Sequence, residues 1–207
     1  MMWVKKIDRE ILGVATSFLL WCIVFNTQYF GSFWIRITVA TIILALYVRL
    51  ISVNSISGEK WRIDLKVACT GIISGLILYL FFFLGFNLLK NLVYEGAITV
   101  YVFKYDQFFQ LAPILLLITS FCEEYFWRGY VQNKLSLDVD SKFNSLIITS
   151  TLYSLIHIST LNISLMIAAF LAGLFWGIIY LKTNSLYAVI ISHMVWTELI
   201  FIYLPLA

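Results

Sequence analysis

Apolar positions in this chain fall into long unbroken runs. They show neither the spaced stripe of a surface helix nor the alternation of a half-buried strand. The runs lie near 11–30, 33–53, 66–90, 107–131, 144–160, 163–181 and 185–205. At about 1.5 Å per residue, runs of this size suit the roughly 30 Å of hydrocarbon in a bilayer. The pattern predicts an all-α fold, a polytopic transmembrane helix bundle of about seven spans. The fifth run is the shortest and its lower edge the least defined, so six or eight spans stay open. The longest polar connections, 52–64, 91–106 and 133–142, are not rich enough in proline or serine to be domain linkers. Residues 1–207 are therefore expected to form a single membrane-embedded domain.

Composition strengthens the membrane assignment. Hydrophobic residues make up 62% of the chain and charged residues 12%, against about 45–50% and about 25% in soluble domains. The opening "MMWVKKIDRE" is basic, but no small-residue cleavage site follows it, so the first run is expected to be a retained span. With a cytoplasmic N-terminus, that side holds Lys5, Lys6, Arg9, Arg49, Lys60, Arg62, Lys66, Arg128, Lys134, Lys142 and Lys182, which is 11 of the 14 lysines and arginines. Arg36, Lys90 and Lys104 fall on the other side. This bias predicts a multi-pass cell-membrane protein with its C-terminus outside. The net charge of +3 then reports topology, and no nucleic-acid partner is expected. Cys22, Cys69 and Cys122 lie in apolar runs without a CxxC pair and are expected to be small buried hydrophobes. Gly71 with Gly75, and Gly173 with Gly177, have the spacing that lets membrane helices approach closely. There is no internal repeat to suggest transporter-like inverted symmetry.

Ionisable groups at membrane depth are costly, so they are expected to face protein or a wet cavity. Away from the span ends the chain carries six: Glu123, Glu124, Arg128, His157, His193 and Glu198. Glu124 and Arg128 are four apart and can pair on one helix face, whereas Glu123 is turned about 100° away. A purely structural charge network accounts for the pair but leaves Glu123 buried without a purpose. Measured from the nearest cytoplasmic lysine, Glu123, His193 and His157 lie at roughly 16, 16 and 22 Å, so three helices bring polar groups to similar levels. Tyr153 shares a helix face with His157, and Thr197 shares one with His193. The Thr197 hydroxyl has two readings: a donor beside the imidazole, or a bond back to the His193 carbonyl. Glu198 is turned from that face and is expected to be solvated or to pack. Tyr125, Phe126 and Trp127 are expected to supply bulk.

A carboxylate can hold a water and take its proton as the water attacks a carbonyl. Imidazole N–H and hydroxyl donors can then stabilise the oxyanion. Ser154 and Ser192 adjoin the histidines in sequence, but no buried aspartate completes a serine triad. Zinc on His157, His193 and Glu123 would satisfy ligand types but lacks a clustered pair such as HExxH. A non-catalytic membrane module, such as an immunity factor or scaffold, is the other alternative.

The motifs also carry a resemblance. "EEYFWR" matches EExxxR, "YSLIH" resembles FxxxH with Tyr153 for phenylalanine, and "HMVWT" resembles HxxxN with Thr197 for asparagine. In this order, over about residues 107–205, the chain resembles the CPBP family of CAAX proteases and bacteriocin-processing enzymes, also called the Abi family. The resemblance implies an intramembrane glutamic endopeptidase related to the type II CAAX prenyl protease, with no cofactor and no metal. Glu123 would activate the water, Glu124 and Arg128 would support the site, and His157 would help hold the water. His193 and Thr197 would form the oxyanion hole, with a hydroxyl of shorter reach in place of an amide. The short chain points to a bacterial plasma membrane. The expected substrate is a membrane-associated peptide or protein, such as a peptide precursor, signal remnant or bacteriocin, entering from the cytoplasmic side.

Overall fold

The structure, a computed structural model, describes residues 4–27, 31–51, 58–139 and 141–207. The side chains of Lys5 and Lys6, used above for orientation, lie outside the described residues. Helix α1 spans Val4–Asn26, α2 Phe33–Ile51, α3 Leu65–Leu88, α4 Lys90–Tyr101 and α5 Ala112–Glu124. The α5 rod continues as a π-helix over Tyr125–Gln132 and then as α6, Asn133–Asp138. Helices α7, Lys142–Leu155, α8, Ile163–Thr183, and α9, Leu186–Thr197, complete the bundle, and α9 continues as a π-helix over Glu198–Tyr203.

Most starts follow local chemistry. Asp64, Ser141, Asn162 and Ser185 cap α3, α7, α8 and α9 by accepting hydrogen bonds from amides in the first turn. Leu161 and Asn184, with φ of 52° and 49°, turn the chain into and out of α8. The connection expected at 91–106 is itself mostly helical, because α4 packs on α8 and Asn162 Nδ2 donates to Gly96 O at 2.7 Å.

Among the described residues six helices are long and apolar enough to cross a membrane by themselves, close to the count of about seven expected from the sequence. The difference is the fifth run, where α7 has only 14 residues, about 21 Å of helix. It stops because the His157 ring takes over the carbonyl that would continue it. His157 Nδ1 lies 3.1 Å from Tyr153 O, while the His157 amide donates to Ser154 O instead. Even so, α7 keeps the up-and-down alternation. A Cβ at Gly173 would meet Ser150 and Tyr153, and one at Gly177 would meet Leu146, so α7 runs antiparallel to α8. The same comparison makes α3 parallel to α9: Gly71 faces Ala188 and Ile191, and Gly75 faces Ser192 and Val195.

The small-residue spacing at 71 and 75 therefore sets a close contact between α3 and α9. A Cβ on Gly71 would lie 2.7 Å from Ile191 Cβ and 2.9 Å from the Ala188 carbonyl oxygen, neither of which is a flexible tip. Gly71→Ala is expected to destabilise the protein by about 1–3 kcal/mol through overpacking. A melting temperature in detergent equal to wild type would show that the contact is looser than this.

The lysine-rich ends converge. Lys60 Nζ donates to Asn133 Oδ1, Ser185 Oγ donates to Arg62 O, and Lys60 lies in the field of Lys142. At the opposite end Asp106 ties α2 to the turn before α5. It accepts from Ser32 Oγ at 2.5 Å and from the amides of Phe33 and Phe108, each at 2.9 Å. Burial works to raise its pKa, but these three bonds and the charge of Arg36 outweigh it and hold the carboxyl below its ordinary value. A depressed folded-state pKa contributes stability that is complete above the unfolded value of about 3.9 and is lost as pH falls through the folded one. Asp106→Ala is expected to lower stability by about 1–2 kcal/mol at neutral pH. Melting curves of wild type and variant should begin to converge as the pH falls below about 4; a constant gap would contradict this.

Among the cysteines, Cys122 is buried as expected, whereas Cys22 and Cys69 are exposed on outward helix faces. Phe126 and Trp127 are fully buried, consistent with bulk.

Candidate active site

The α5 rod is where lipid gives way to protein. Its candidate span, Phe109–Asp138, is the least apolar of those among the described residues, and residues 126–133 within it are all buried against neighbouring helices. The π-helical turn begins directly after Glu124 and holds Arg128 and Gln132. Such departures from α-helical winding recur at functional sites.

Glu124 is completely buried. Its Oε1 accepts from Arg128 Nη1 at 2.9 Å and lies 2.7 Å from His193 Nδ1. The i,i+4 pair is thus present, and it extends to a third member on α9. Arg128 Nη2 donates to Gly173 O at 3.1 Å, and one turn on, Gln132 Nε2 donates to Gly177 O at 3.2 Å. The two glycines of α8 therefore allow close packing and also leave their carbonyls open to second donors. The Arg128 guanidinium is held over the rings of Tyr153 and Trp176, 5.1 and 5.3 Å from their centroids.

Glu123 has a different environment. Among the described residues no cation pairs with it; its partner is neutral, the Tyr153 hydroxyl, which donates to Oε2 at 2.7 Å. The carboxylate is therefore not without a partner, as the sequence suggested. One oxygen is held, and no side chain of the described residues bonds the other.

His157 follows the end of α7. Trp21 Nε1–H donates to His157 Nε2 at 3.2 Å, so the ring proton is on Nδ1 and goes to Tyr153 O. Both ring nitrogens are engaged by protein. His193 is stacked on Trp176, with centroids 3.8 Å apart and planes 20° from parallel, and its Nδ1 is turned to Glu124. Its Nε2 has no side-chain partner among the described residues. Thr197 Oγ1 donates to His193 O at 2.5 Å and lies 3.1 Å from Ser120 Oγ. Of the two readings open for this hydroxyl, the structure shows the bond back to the helix. Glu198 is half-buried, and neither carboxylate oxygen has a partner among the described residues.

Glu123, Tyr153, His157, His193 and Thr197 line one cavity of about 130 Å³. That is room for several waters. Of the six residues singled out in the sequence, Glu123, His157, His193 and Thr197 reach this cavity, while Glu124 and Arg128 stand behind His193. Sequence reasoning did not single out the Trp21 indole or the Tyr153 hydroxyl as site groups. The tyrosine had a signal, since it shares a face with His157; Trp21 had none, being one aromatic in an apolar run. Phe33, Trp34, Val100 and Phe103 also wall the cavity. It therefore extends toward the end that carries Asp106, opposite the lysine-rich end from which entry was expected. Among the described residues no three histidine, cysteine, aspartate or glutamate side chains converge.

The family described as Rce1-like, type II CAAX prenyl endopeptidase Rce1-like, matches residues 105–198. No curated protein and no solved structure matches the chain.

Proposed function

Because residues 105–198 match the Rce1-like family of type II CAAX prenyl endopeptidases and the described residues hold six helices able to cross a membrane, we propose that the chain is an intramembrane endopeptidase of the CPBP family using a glutamate-activated water. The observation that carries this reading is Glu123: buried, held at one oxygen by a neutral hydroxyl, and facing the same cavity as His193. A carboxylate paired with a cation would be a weaker base; one oriented by a phenol at a single oxygen leaves the other for water.

In the proposed step, water bound at Glu123 gives its proton to the carboxylate as its oxygen attacks the scissile carbonyl. The carbonyl π electrons move onto the substrate oxygen. On collapse the C–N bond breaks, and the proton on Glu123 passes to the leaving nitrogen. Glu124 and Arg128 act as positioning residues. Glu124 holds Nδ1 of His193 at 2.7 Å, which leaves Nε2 for the cavity. Nε2 of His193 is then the ring nitrogen nearest the reacting carbonyl, and it would present an N–H to the oxyanion when the ring carries its second proton. His157 fixes the end of α7 and the Tyr153 backbone; it reaches water only if the Trp21 bond opens.

The substrate fits an apolar, membrane-associated peptide. A second cavity of about 240 Å³ lies between α3, α4, α8 and α9 and shares Val100, Leu165, Ala168, Trp196 and Phe201 with the first. An apolar flank of the peptide can occupy it while the scissile bond lies at Glu123. The substrate then approaches from the end walled by Phe33 and Phe103.

The test compares membranes and released peptides from cells carrying wild type or Glu123→Gln. A peptide whose cleavage depends on Glu123 supports the reading. Identical peptide profiles, or complementation by a Glu123→Ala/His193→Ala variant, favour the non-catalytic module. Loss of cleavage on chelation, restored by zinc, favours the metal-dependent alternative.

A further inference from the structure

Hydrolysis at Glu123 puts negative charge on the substrate oxygen, and few groups in the cavity are free to meet it. Trp21 Nε1–H is bonded to His157 Nε2, and Trp34 Nε1–H to Phe103 O at 2.9 Å. Thr38 Oγ1 donates to Trp34 O at 2.8 Å and so receives the Thr119 hydroxyl, 3.1 Å away. The Thr197 hydrogen is directed to the carbonyl of His193. Trp176 and Trp196 line the cavity, and their indole nitrogens have no partner among the described residues but almost no accessible surface. His157 Nδ1–H is bonded to Tyr153 O. That leaves Nε2 of His193, which no side chain of the described residues bonds, and the hydroxyl of Tyr153, whose acceptor is the very carboxylate that takes up the water proton.

We propose that Tyr153 is a catalytic residue: its O–H, held by the Glu123 carboxylate in the resting site, turns to the oxyanion as Glu123 takes the proton of the attacking water. The inference rests on the protease reading above. Its physical basis is that a charge-assisted hydrogen bond follows the charge. When the water proton reaches Glu123, the carboxylate loses its negative charge at the moment the substrate oxygen gains one. Tyr153 keeps its own proton throughout and changes only its acceptor. On collapse the C–N bond breaks, the Glu123 proton goes to the leaving nitrogen, and the phenol returns to the carboxylate.

The surroundings of Tyr153 suit this role. Its ring meets Trp127 edge-on at 5.4 Å and His157 at 5.9 Å, and Arg128 lies over its face. The ring is therefore fixed, and only the hydroxyl hydrogen has to rotate.

The experiment uses the full chain in detergent with a library of internally quenched fluorogenic peptides bearing apolar flanks. Its variants are Glu123→Gln, Tyr153→Phe, Thr197→Asn and the Tyr153→Phe/Thr197→Asn pair. Tyr153→Phe is expected to melt within about 4 °C of wild type and to lower kcat by about 100-fold. KM should stay within about threefold, since the lost interaction exists only in the transition state. Thr197→Asn brings an amide N–H to the same cavity and should recover about tenfold of kcat in the Tyr153→Phe background. Wild-type kcat in Tyr153→Phe overturns the inference while an inactive Glu123→Gln leaves the protease reading standing. Loss in Tyr153→Phe that Thr197→Asn does not relieve also overturns it, because the tyrosine would then act by holding Glu123. Wild-type protein that cleaves no more than Glu123→Gln overturns both.

Discussion

Glu123→Gln abolishes peptide cleavage and leaves the bundle folded: this is the expected result with the largest effect. The amide keeps the length and shape of the side chain, and its oxygen can still accept the Tyr153 hydrogen now held at 2.7 Å. What it cannot do is take a proton from water. General-base catalysis contributes about 10²–10⁴-fold, so kcat should fall to the limit of detection for an enzyme of ordinary turnover. Stability should hold or rise, because the substitution removes a buried charge that lacks a cationic partner among the described residues. Cleavage of a fluorogenic peptide and a melting curve in the same detergent measure both quantities. A variant that melts like wild type and still cleaves at the wild-type rate would remove Glu123 from the chemistry.

Arg128→Met is expected to have the largest effect on stability. The guanidinium is fully buried, bonds Glu124 Oε1 at 2.9 Å and Gly173 O at 3.1 Å, and lies over two aromatic rings. Its removal leaves Glu124 charged, buried and facing only His193, and breaking a buried pair in this way costs about 3–5 kcal/mol. The double variant Arg128→Met/Glu124→Gln removes the stranded charge as well, so it should recover part of that loss. Comparing the melting temperatures of the two variants isolates the pair. If the single and double variants melt together, the network contributes no coupling and the ordering of His193 has another source.

The Glu124–Arg128 pair was legible in the sequence because both partners sit on one helix, four residues apart, where geometry is local. The glycine pairs on α3 and α8 were legible for the same reason. That Gly173 and Gly177 also offer their carbonyls to Arg128 and Gln132 was not. It depends on how α8 docks against the π-helical stretch, and nothing in the residues after Glu124 announced that winding. The fifth run shows what composition alone leaves open. Its composition resembles a full span, yet His157 ends α7 early by drawing the Tyr153 carbonyl to its ring.

By itself the sequence determined the solvent and the helical class, and it carried the likeness to a family over residues 105–198. Transfer of apolar side chains into lipid and helical spacing are properties of contiguous residues, and the three motifs lie in a fixed order on separate helices. Only the tertiary structure decided what each polar group faces. Tyr153 meets Glu123 across 30 residues, His193 meets Glu124 across 69, and Trp21 meets His157 across 136. Helix docking brings those partners together, and a buried donor is costly to leave unpaired. The Thr197 hydrogen therefore stays on its own helix, while the Tyr153 hydroxyl reaches the carboxylate at Glu123.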